Sequence, residues 1–257
     1  MIPAWLTDTV TPDLDRAVHY TLLWGLESVV LRTVGARADR VPHVNESKLK
    51  RRLAEHEIPV AAVDPGLFES AAASRSTTLN DLVLLADVAA FCRRIGCRRI
   101  LVGGLPGADD LAAEALPRAG DASARHGLTL AVKNEVGARA TARSLAKLLS
   151  AVARPNVRAA WHPADALEAG ETAEEGLEAL GEHVAFVAVR DGVVGASGWE
   201  ARSLGAGAVG WDRVLRSLHA QGYAGPLSLD LRGLAVAKDG LGEATTLIRM
   251  IRQARRA

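Results

Sequence analysis

The chain has 257 residues, of which 49% are hydrophobic and 24% are charged. This size and composition suit one α/β domain over residues 1–257, with enough apolar material for a buried core. The 31 basic and 30 acidic residues almost cancel, and no basic stripe of the kind found in nucleic-acid-binding proteins stands out. No uninterrupted apolar run reaches membrane-spanning length, so we expect neither nucleic acid nor a membrane as a partner.

Strand-like and helix-like segments alternate along the whole chain. The predicted strands are Ala4–Thr7, Ser28–Arg32, Val60–Asp64, Arg99–Gly103, Thr129–Asn134, Val157–His162, Val184–Asp191 and Pro226–Arg232. Each is almost continuously apolar, which is typical of a strand covered on both faces in a parallel sheet. Between them, apolar residues recur at helical spacing, as at Leu49 and Leu53. Asn45 and Thr141 are expected to cap helices, because their side chains can accept hydrogen bonds from free N–H groups.

Eight βα units in a row fit either a closed barrel or an open doubly wound sheet. The number of units and the chain length favour a single (β/α)₈ TIM barrel with a parallel eight-stranded core. Cys92 and Cys97 are predicted to lie in one helix, at a spacing that matches no zinc or redox motif. Two thiols without a signal-peptide pattern indicate a reducing compartment, so the predicted location is cytoplasmic.

Several segments, in order, resemble the xylose-isomerase-like TIM barrel superfamily, the family of sugar phosphate isomerases and epimerases. They are WGLESVVLR (24–32), HVNESKLKRRLAEHEIPVAAV (43–63), HGLTLAVKNE (126–135), PNVRAAWHPADA (155–166), HVAFVAVRDG (183–192) and the closing segment 204–230. The resemblance covers nearly the whole chain. It implies a site at the C-terminal ends of the strands, where family members commonly bind a divalent metal and shift a proton or hydride between sugar carbons.

The family's metal ligands are Glu, Asp, His and Glu from strands five to eight. The resemblance places Lys133, His162, Ala188 and Asp230 at these positions. A charged lysine cannot ligate a metal and alanine has no donor atom, so only His162 and Asp230 remain as ligands. We therefore expect a degraded metal site and predict no cofactor, with a divalent metal left as an alternative. Lys133, His162 and Asp230 are the candidate catalytic residues.

Lys133 admits two interpretations. Its ammonium could fill the space of the missing cation and pair with Asp230 or Glu135, as a buried ion pair that closes the barrel mouth. Alternatively, it could act as an electrophile, a general acid or a Schiff-base amine, which requires a lowered pKa.

Three arginines, Arg32, Arg190 and Arg232, also stand at predicted strand ends. Arginine suits carboxylate or phosphate groups, so three of them beside Lys133 predict an anionic ligand. The acids available as their partners are Asp64, Asp165 and Asp191. The candidate substrate-binding residues are Arg32, Glu135, Asp165, Arg190, Asp191 and Arg232.

The segment Gly205–Gly210 matches G-x-G-x-x-G, with Asp230 downstream as in a dinucleotide fingerprint. That fingerprint must turn directly out of a strand, however, and a long polar loop intervenes here. The alternatives are a phosphate cradle at the start of the next helix and a plain glycine turn.

Three functions remain open. The first is an isomerase or epimerase that acts on a sugar, a sugar phosphate or a small carboxylate. The second is a catalytically silent barrel that binds a small anion or a protein partner. The third, an abasic-site endonuclease on the same barrel, needs a cluster of zinc ligands and a basic groove, and the sequence shows neither. A homo-oligomer stays open, because the outer faces of barrels often pair.

Overall fold

The computed structural model describes residues 1–35, 37–135, 139–234 and 236–256, with side chains from residue 240 onwards in the last range. Eight parallel strands form a closed barrel in which each strand pairs with the next and β1 pairs with β8. The strands are β1 (Ile2–Leu6), β2 (Ser28–Leu31), β3 (Val60–Val63), β4 (Arg99–Val102), β5 (Thr129–Lys133), β6 (Val157–Trp161), β7 (Val184–Val189) and β8 (Pro226–Leu229). The predicted (β/α)₈ barrel is confirmed, although each strand ends one to three residues earlier than predicted.

Helices follow the strands and form the outer layer. They are α1 (Leu14–Leu23), α2 (Glu46–Ala54), α3 (Arg75–Arg94), α4 (Asp109–Ala124), α5 (Ala142–Val152), α6 (Pro163–Glu168), α7 (Ala173–Leu180), α8 (Trp211–Ala220) and α9 (Val236–Ala254). Asn45 and Thr141 cap α2 and α5 by accepting from Lys48 N and Ser144 N, so both cap predictions are confirmed. No helix in the described part of the chain is both long and apolar enough to cross a membrane.

The apolar core has two parts. One lies between the barrel and the helices, and the other fills the barrel interior. The interior part is rich in alanine and consists of Ala4, Leu6, Val30, Ala61, Ala62, Leu101, Ala131, Ala160, Phe186 and Ala188. Because barrel interiors are usually filled by larger branched side chains, the small residues here leave room for a cavity that reaches into the barrel.

Two short antiparallel hairpins lie outside the barrel sheet. Thr33–Val34 pairs with Asp39–Arg40 after β2, and Asp191–Gly195 pairs with Gly198–Arg202 after β7. The prediction that both cysteines lie in one helix is wrong for Cys97, which follows the end of α3. Gly96, at φ +74°, turns the chain out of that helix before Cys97. Both thiols are free and buried.

Candidate functional site

A cavity of about 390 Å³ opens at the C-terminal ends of the barrel strands, where α/β barrels place their active sites. We call it the mouth cavity. Its inner wall is apolar and includes Leu101, Phe186 and Ala188 from the barrel interior. The structure brings eight of the nine predicted site residues to its polar rim, the exception being Asp191.

The ammonium of Lys133, at the end of β5, lies among three carboxylates. Its Nζ is 3.4 Å from Asp64 Oδ2 and 2.8 Å from Glu135 Oε1, and it also forms an ion pair with Glu69. Asp64 directly follows β3, whereas Glu69 lies five residues further along the loop. Of the two predicted partners, Glu135 contacts Lys133, but Asp230 does not because it pairs with Arg232.

Charge in this cluster keeps Lys133 protonated. Burial alone would lower the pKa of Lys133, but Asp64, Glu135 and Glu69 outweigh it and raise that pKa above its usual value. A Schiff-base amine, which requires a lowered pKa, is therefore not supported. Burial raises the pKa of the Glu69 carboxyl, and the nearby Asp64 and Glu135 add to this rise against the opposing charge of Lys133. Glu69 is thus suited to carry a proton.

A second cluster of polar side chains comes from the segments directly after β6 and β7. The Asp165 carboxylate forms an ion pair with Arg190 and lies 3.5 Å from His162 Nδ1. Burial would raise the pKa of Asp165, but contacts with His162 and Arg190 hold it below its usual value. The other ring nitrogen of His162, Nε2, is buried without a hydrogen-bond partner among the described residues. Trp199, on the second hairpin, stacks on the Arg190 guanidinium at 4.9 Å.

The remaining mouth arginines are also paired. Arg32 donates from Nε to Asp8 Oδ2 at 2.9 Å, a partner that the sequence interpretation missed. Arg232 donates from Nε to both oxygens of Asp230 at 2.9 Å. Burial would raise the pKa of Asp230, but the hydrogen bonds and charge of Arg232 hold it below its usual value.

The residues that line the mouth cavity have a negative formal charge, whereas the sequence analysis expected an anionic ligand there. The described lining residues carry six carboxylates and four cations, which gives a formal charge of −2 with His162 neutral. The six carboxylates are Asp64, Glu69, Glu135, Asp165, Glu168 and Asp230. The sequence interpretation counted strand-end arginines but overlooked Glu69 and Glu168, which lie in a loop and in α6. An anion would therefore meet a wall that is already rich in negative charge.

Asp191 does not line the mouth cavity, so its assignment as a substrate-binding residue is not supported by its position. Its buried carboxylate accepts hydrogen bonds from Gly205 N at 2.8 Å, Gly207 N at 3.2 Å and Val209 N at 3.3 Å. A side chain on Gly207 would have no room, because a Cβ there would lie 2.1 Å from Asp191 Oδ1. The glycine-rich loop thus wraps around a carboxylate of the same chain, which occupies the amides of Gly205, Gly207 and Val209.

The described donor set does not fit the family's metal. Lys133 is neutralised by carboxylates, Ala188 offers no donor atom, and Asp230 is engaged by Arg232. Across the described residues, no three His, Cys, Asp or Glu side chains come together in a way that could hold a metal ion. The cluster of ligands that an abasic-site endonuclease requires is equally missing from this part of the chain.

Asn134 is a positioning residue that the sequence interpretation did not identify. Its buried amide accepts from His162 N at 2.8 Å and donates to the carbonyls of His162 at 2.9 Å and Ala140 at 2.8 Å. It therefore ties the end of β5 to the start of α6 and fixes the backbone that carries His162. Its position directly after Lys133, at the end of a predicted strand, is the feature of the sequence that could have identified it.

Comparisons with known proteins agree with this architecture. A family model described as xylose isomerase-like TIM barrel matches residues 21–253. Among curated proteins, none matches the chain.

Similar solved structures include an L-ribulose 3-epimerase, with a TM-score of 0.79, 16% identity, and coverage of 99% of this chain and 96% of that one. A D-allulose 3-epimerase from Methylomonas sp. in complex with D-allulose has a TM-score of 0.77 and 14% identity, with coverage of 99% and 97%. A D-psicose 3-epimerase with D-tagatose from Clostridium cellulolyticum H10 has a TM-score of 0.77 and 12% identity, with coverage of 99% of both chains. At these identities the likeness shows the fold, and the family match shows that the chain belongs to the xylose isomerase-like TIM barrel family.

Proposed function

We propose that the chain is an isomerase or epimerase of small polyhydroxylated carbonyl compounds, sugars above all, and that it works without a bound divalent metal. The observation that carries this proposal is the ammonium of Lys133, fixed among carboxylates in a cavity at the C-terminal ends of the strands. The cavity volume of about 390 Å³ lies in the range of small-molecule sites. The similar epimerases solved with D-allulose and D-tagatose support a ligand of this size and polarity.

Moving a proton next to a carbonyl requires a base for the C–H proton and a positive group for the enediolate oxygen that forms. Lys133 supplies the positive group. Its three N–H bonds already serve three carboxylates, so a ligand oxygen must displace one of them. Glu69 and Glu135 have side chains that are 33% and 31% exposed and can turn away, whereas Asp64, at 6%, stays in place.

Three further groups complete the proposed machinery. Ionised Glu69 removes the proton, and its raised pKa makes the protonated form accessible for returning it. His162, oriented by Asp165 through Nδ1, lines another side of the cavity and is a second proton carrier, provided that a bound ligand makes its buried, unpartnered Nε2 accessible. Asp230, kept ionised by Arg232, accepts hydrogen bonds from ligand hydroxyls.

The ligand that fits these surroundings is neutral. Free aldoses and ketoses present hydroxyl groups to the carboxylates and a carbonyl to Lys133. A sugar phosphate or carboxylate adds charge to a wall that already has a formal excess of two negative groups. We therefore place unphosphorylated sugars ahead of sugar phosphates.

The test is deuterium exchange in D₂O with chelator-treated protein and a panel of free ketoses and aldoses. NMR should show solvent deuterium entering next to the carbonyl of at least one sugar. Lys133→Met should abolish the exchange, while Lys50→Met, at an exposed position of α2, should retain it. Exchange that appears only after Mn²⁺ is added would refute the metal-free mechanism.

A catalytically silent barrel is the second candidate, because each charged group of Arg32, Lys133, Arg190 and Arg232 already has a carboxylate partner within the chain. A site that is satisfied without a ligand can persist as a structural ion-pair network. The absence of deuterium exchange across the whole panel, in protein that is folded, would favour this candidate.

A further inference from the structure

The opposite end of the barrel holds a second cavity, of about 430 Å³, which we call the base cavity. Arg99 is the first residue of β4, and Arg158 is the second residue of β6. Each stands two positions before a residue of the barrel interior, Leu101 and Ala160 respectively. Because alternate residues of a strand share a face, both arginines point into the barrel, and both line this cavity.

Neither arginine has a carboxylate partner among the described residues, in contrast to every cation of the mouth. Arg158 donates from Nε to the carbonyl of His183 at 3.3 Å and from Nη2 to that of Glu182. Arg99 makes one long contact of 3.5 Å, from Nη1 to the carbonyl of Ala61. Nε and Nη2 of Arg99 and Nη1 of Arg158 therefore have no acceptor in the described structure.

The rest of the lining adds neutral polar groups around these cations. Thr129 lies on β5 between the two arginine strands and pairs in register with Arg99. Gln221 and Tyr223 come from the turn after α8, and the Tyr223 hydroxyl donates to the carbonyl of Pro226 at 2.7 Å. Glu182, an exposed residue, also lines the cavity, and its carboxylate forms no ion pair with either arginine in the described structure.

We propose that the base cavity is a binding site for a small oxyanion, a phosphate or carboxylate group, held between Arg99 and Arg158. Two like charges in one half-buried cavity repel each other. The free Nε and Nη2 edge of Arg99 suits bidentate binding of an oxyanion, and Nη1 of Arg158 offers a further donor. A bound oxyanion neutralises both and completes their hydrogen bonds. The site is independent of the proposed chemistry at the mouth, from which the interior side chains of the barrel separate it.

The test is calorimetric titration of the chain with inorganic phosphate in chloride buffer, and separately with succinate. We expect one saturable site for at least one of the two ions, and the tighter of the two identifies the natural class as phosphate or carboxylate. Arg99→Gln and Arg158→Gln should each weaken binding by about 10- to 100-fold, the usual effect of a hydrogen bond to a charged group. Arg75→Gln, which removes the same charge from an 81% exposed side chain, should leave binding unchanged.

Two controls locate the site. Arg232→Gln at the mouth should leave phosphate and succinate binding intact, and if it abolishes binding instead, the proposal is refuted. Arg99→Lys and Arg158→Lys keep the charge and serve where a glutamine variant does not fold, with a smaller loss of affinity expected. Phosphate-soaked crystals should show the ion between the two guanidinium groups, and absence of saturable binding for both ions would overturn the proposal.

Discussion

The two ends of the barrel differ in the partners of their positively charged side chains. At the mouth, Arg32, Lys133, Arg190 and Arg232 each face a carboxylate that the fold itself supplies. At the base, Arg99 and Arg158 contact only backbone carbonyls among the described residues. Carbonyl oxygens solvate a guanidinium but do not neutralise it, so the base keeps its positive charge and the mouth does not.

A cation at a strand end therefore indicates an anionic ligand only when the carboxylates around that cation are also known. The strand-end arginines suggested an anion at the mouth, but neighbouring acids cancel them. The arginines near the strand beginnings attract less attention in the sequence, yet they are the ones that form no ion pair with a carboxylate in the described part of the chain. The comparison predicts that removing a mouth cation exposes repelling carboxylates, whereas removing a base cation relieves repulsion.

The largest effect is expected for Lys133→Met. Without the ammonium, Asp64, Glu69 and Glu135 face one another in a largely buried cluster, and breaking such a pair costs about 3–5 kcal/mol of unfolding free energy. Urea unfolding at pH 7 measures the loss, with Lys50→Met as the exposed control. The loss should shrink at pH 5, where the carboxylates of the variant take up protons.

The raised pKa of Lys133 also predicts how the stability difference between wild type and Lys133→Met changes above pH 7. Because the folded-state pKa of Lys133 is raised, its stabilising contribution is fully present below its unfolded pKa of about 10.4. It is lost only as the pH rises towards the higher folded value. The difference between wild type and variant should therefore stay constant from pH 7 to pH 10, and a decline within that range would contradict the assigned charge state.

The second effect concerns the loop beside the mouth. Asp191→Ala removes the acceptor of the amides of Gly205, Gly207 and Val209 and should cost about 1–3 kcal/mol, because three hydrogen bonds are lost and the buried amide of Val209 is left without its partner. Asp191→Asn keeps one accepting oxygen and should cost less. Ligand affinity measured on folded protein should not change in the asparagine variant, and a specific loss of affinity would restore Asp191 as a binding residue.

Much of the fold could be predicted from the sequence because the strands are apolar on both faces and the period of the pattern changes between strand and helix. Partners in the site were harder to predict. Lys133 pairs with Glu69, which is 64 residues away in a loop whose path no local pattern determines. Asp191 looked like a rim residue because it follows β7, but its hydrogen bonds go to the glycine loop. Side-chain direction depends on such tertiary contacts, which a one-dimensional pattern does not contain.

The third effect is smaller and concerns Asp230. Arg232→Gln should raise the pKa of Asp230, because the guanidinium that holds it low is removed. A carboxyl with a lowered folded pKa stabilises the protein above its unfolded value of about 3.9 and loses that contribution as the pH falls further. We expect a loss of less than about 1 kcal/mol at pH 7, since the arginine side chain is 52% exposed. Titration of the Asp230 carboxyl carbon by NMR measures the change, and an unaltered pKa would argue against the pairing.

The smallest effect on stability is expected for Arg99→Gln, which tests whether the two ends of the barrel differ in how their cations are paired. Arg99→Gln, measured in chloride buffer without added oxyanion, should change the unfolding free energy by no more than about 0.5 kcal/mol, because Arg99 gives up a single long hydrogen bond and a repulsion from Arg158. Addition of phosphate or succinate should then stabilise the wild type more than the variant, since only a ligand that binds the folded state shifts the equilibrium. A loss of several kcal/mol in chloride would show that Arg99 has a structural role like that of Lys133, and the distinction between the two ends of the barrel would no longer hold.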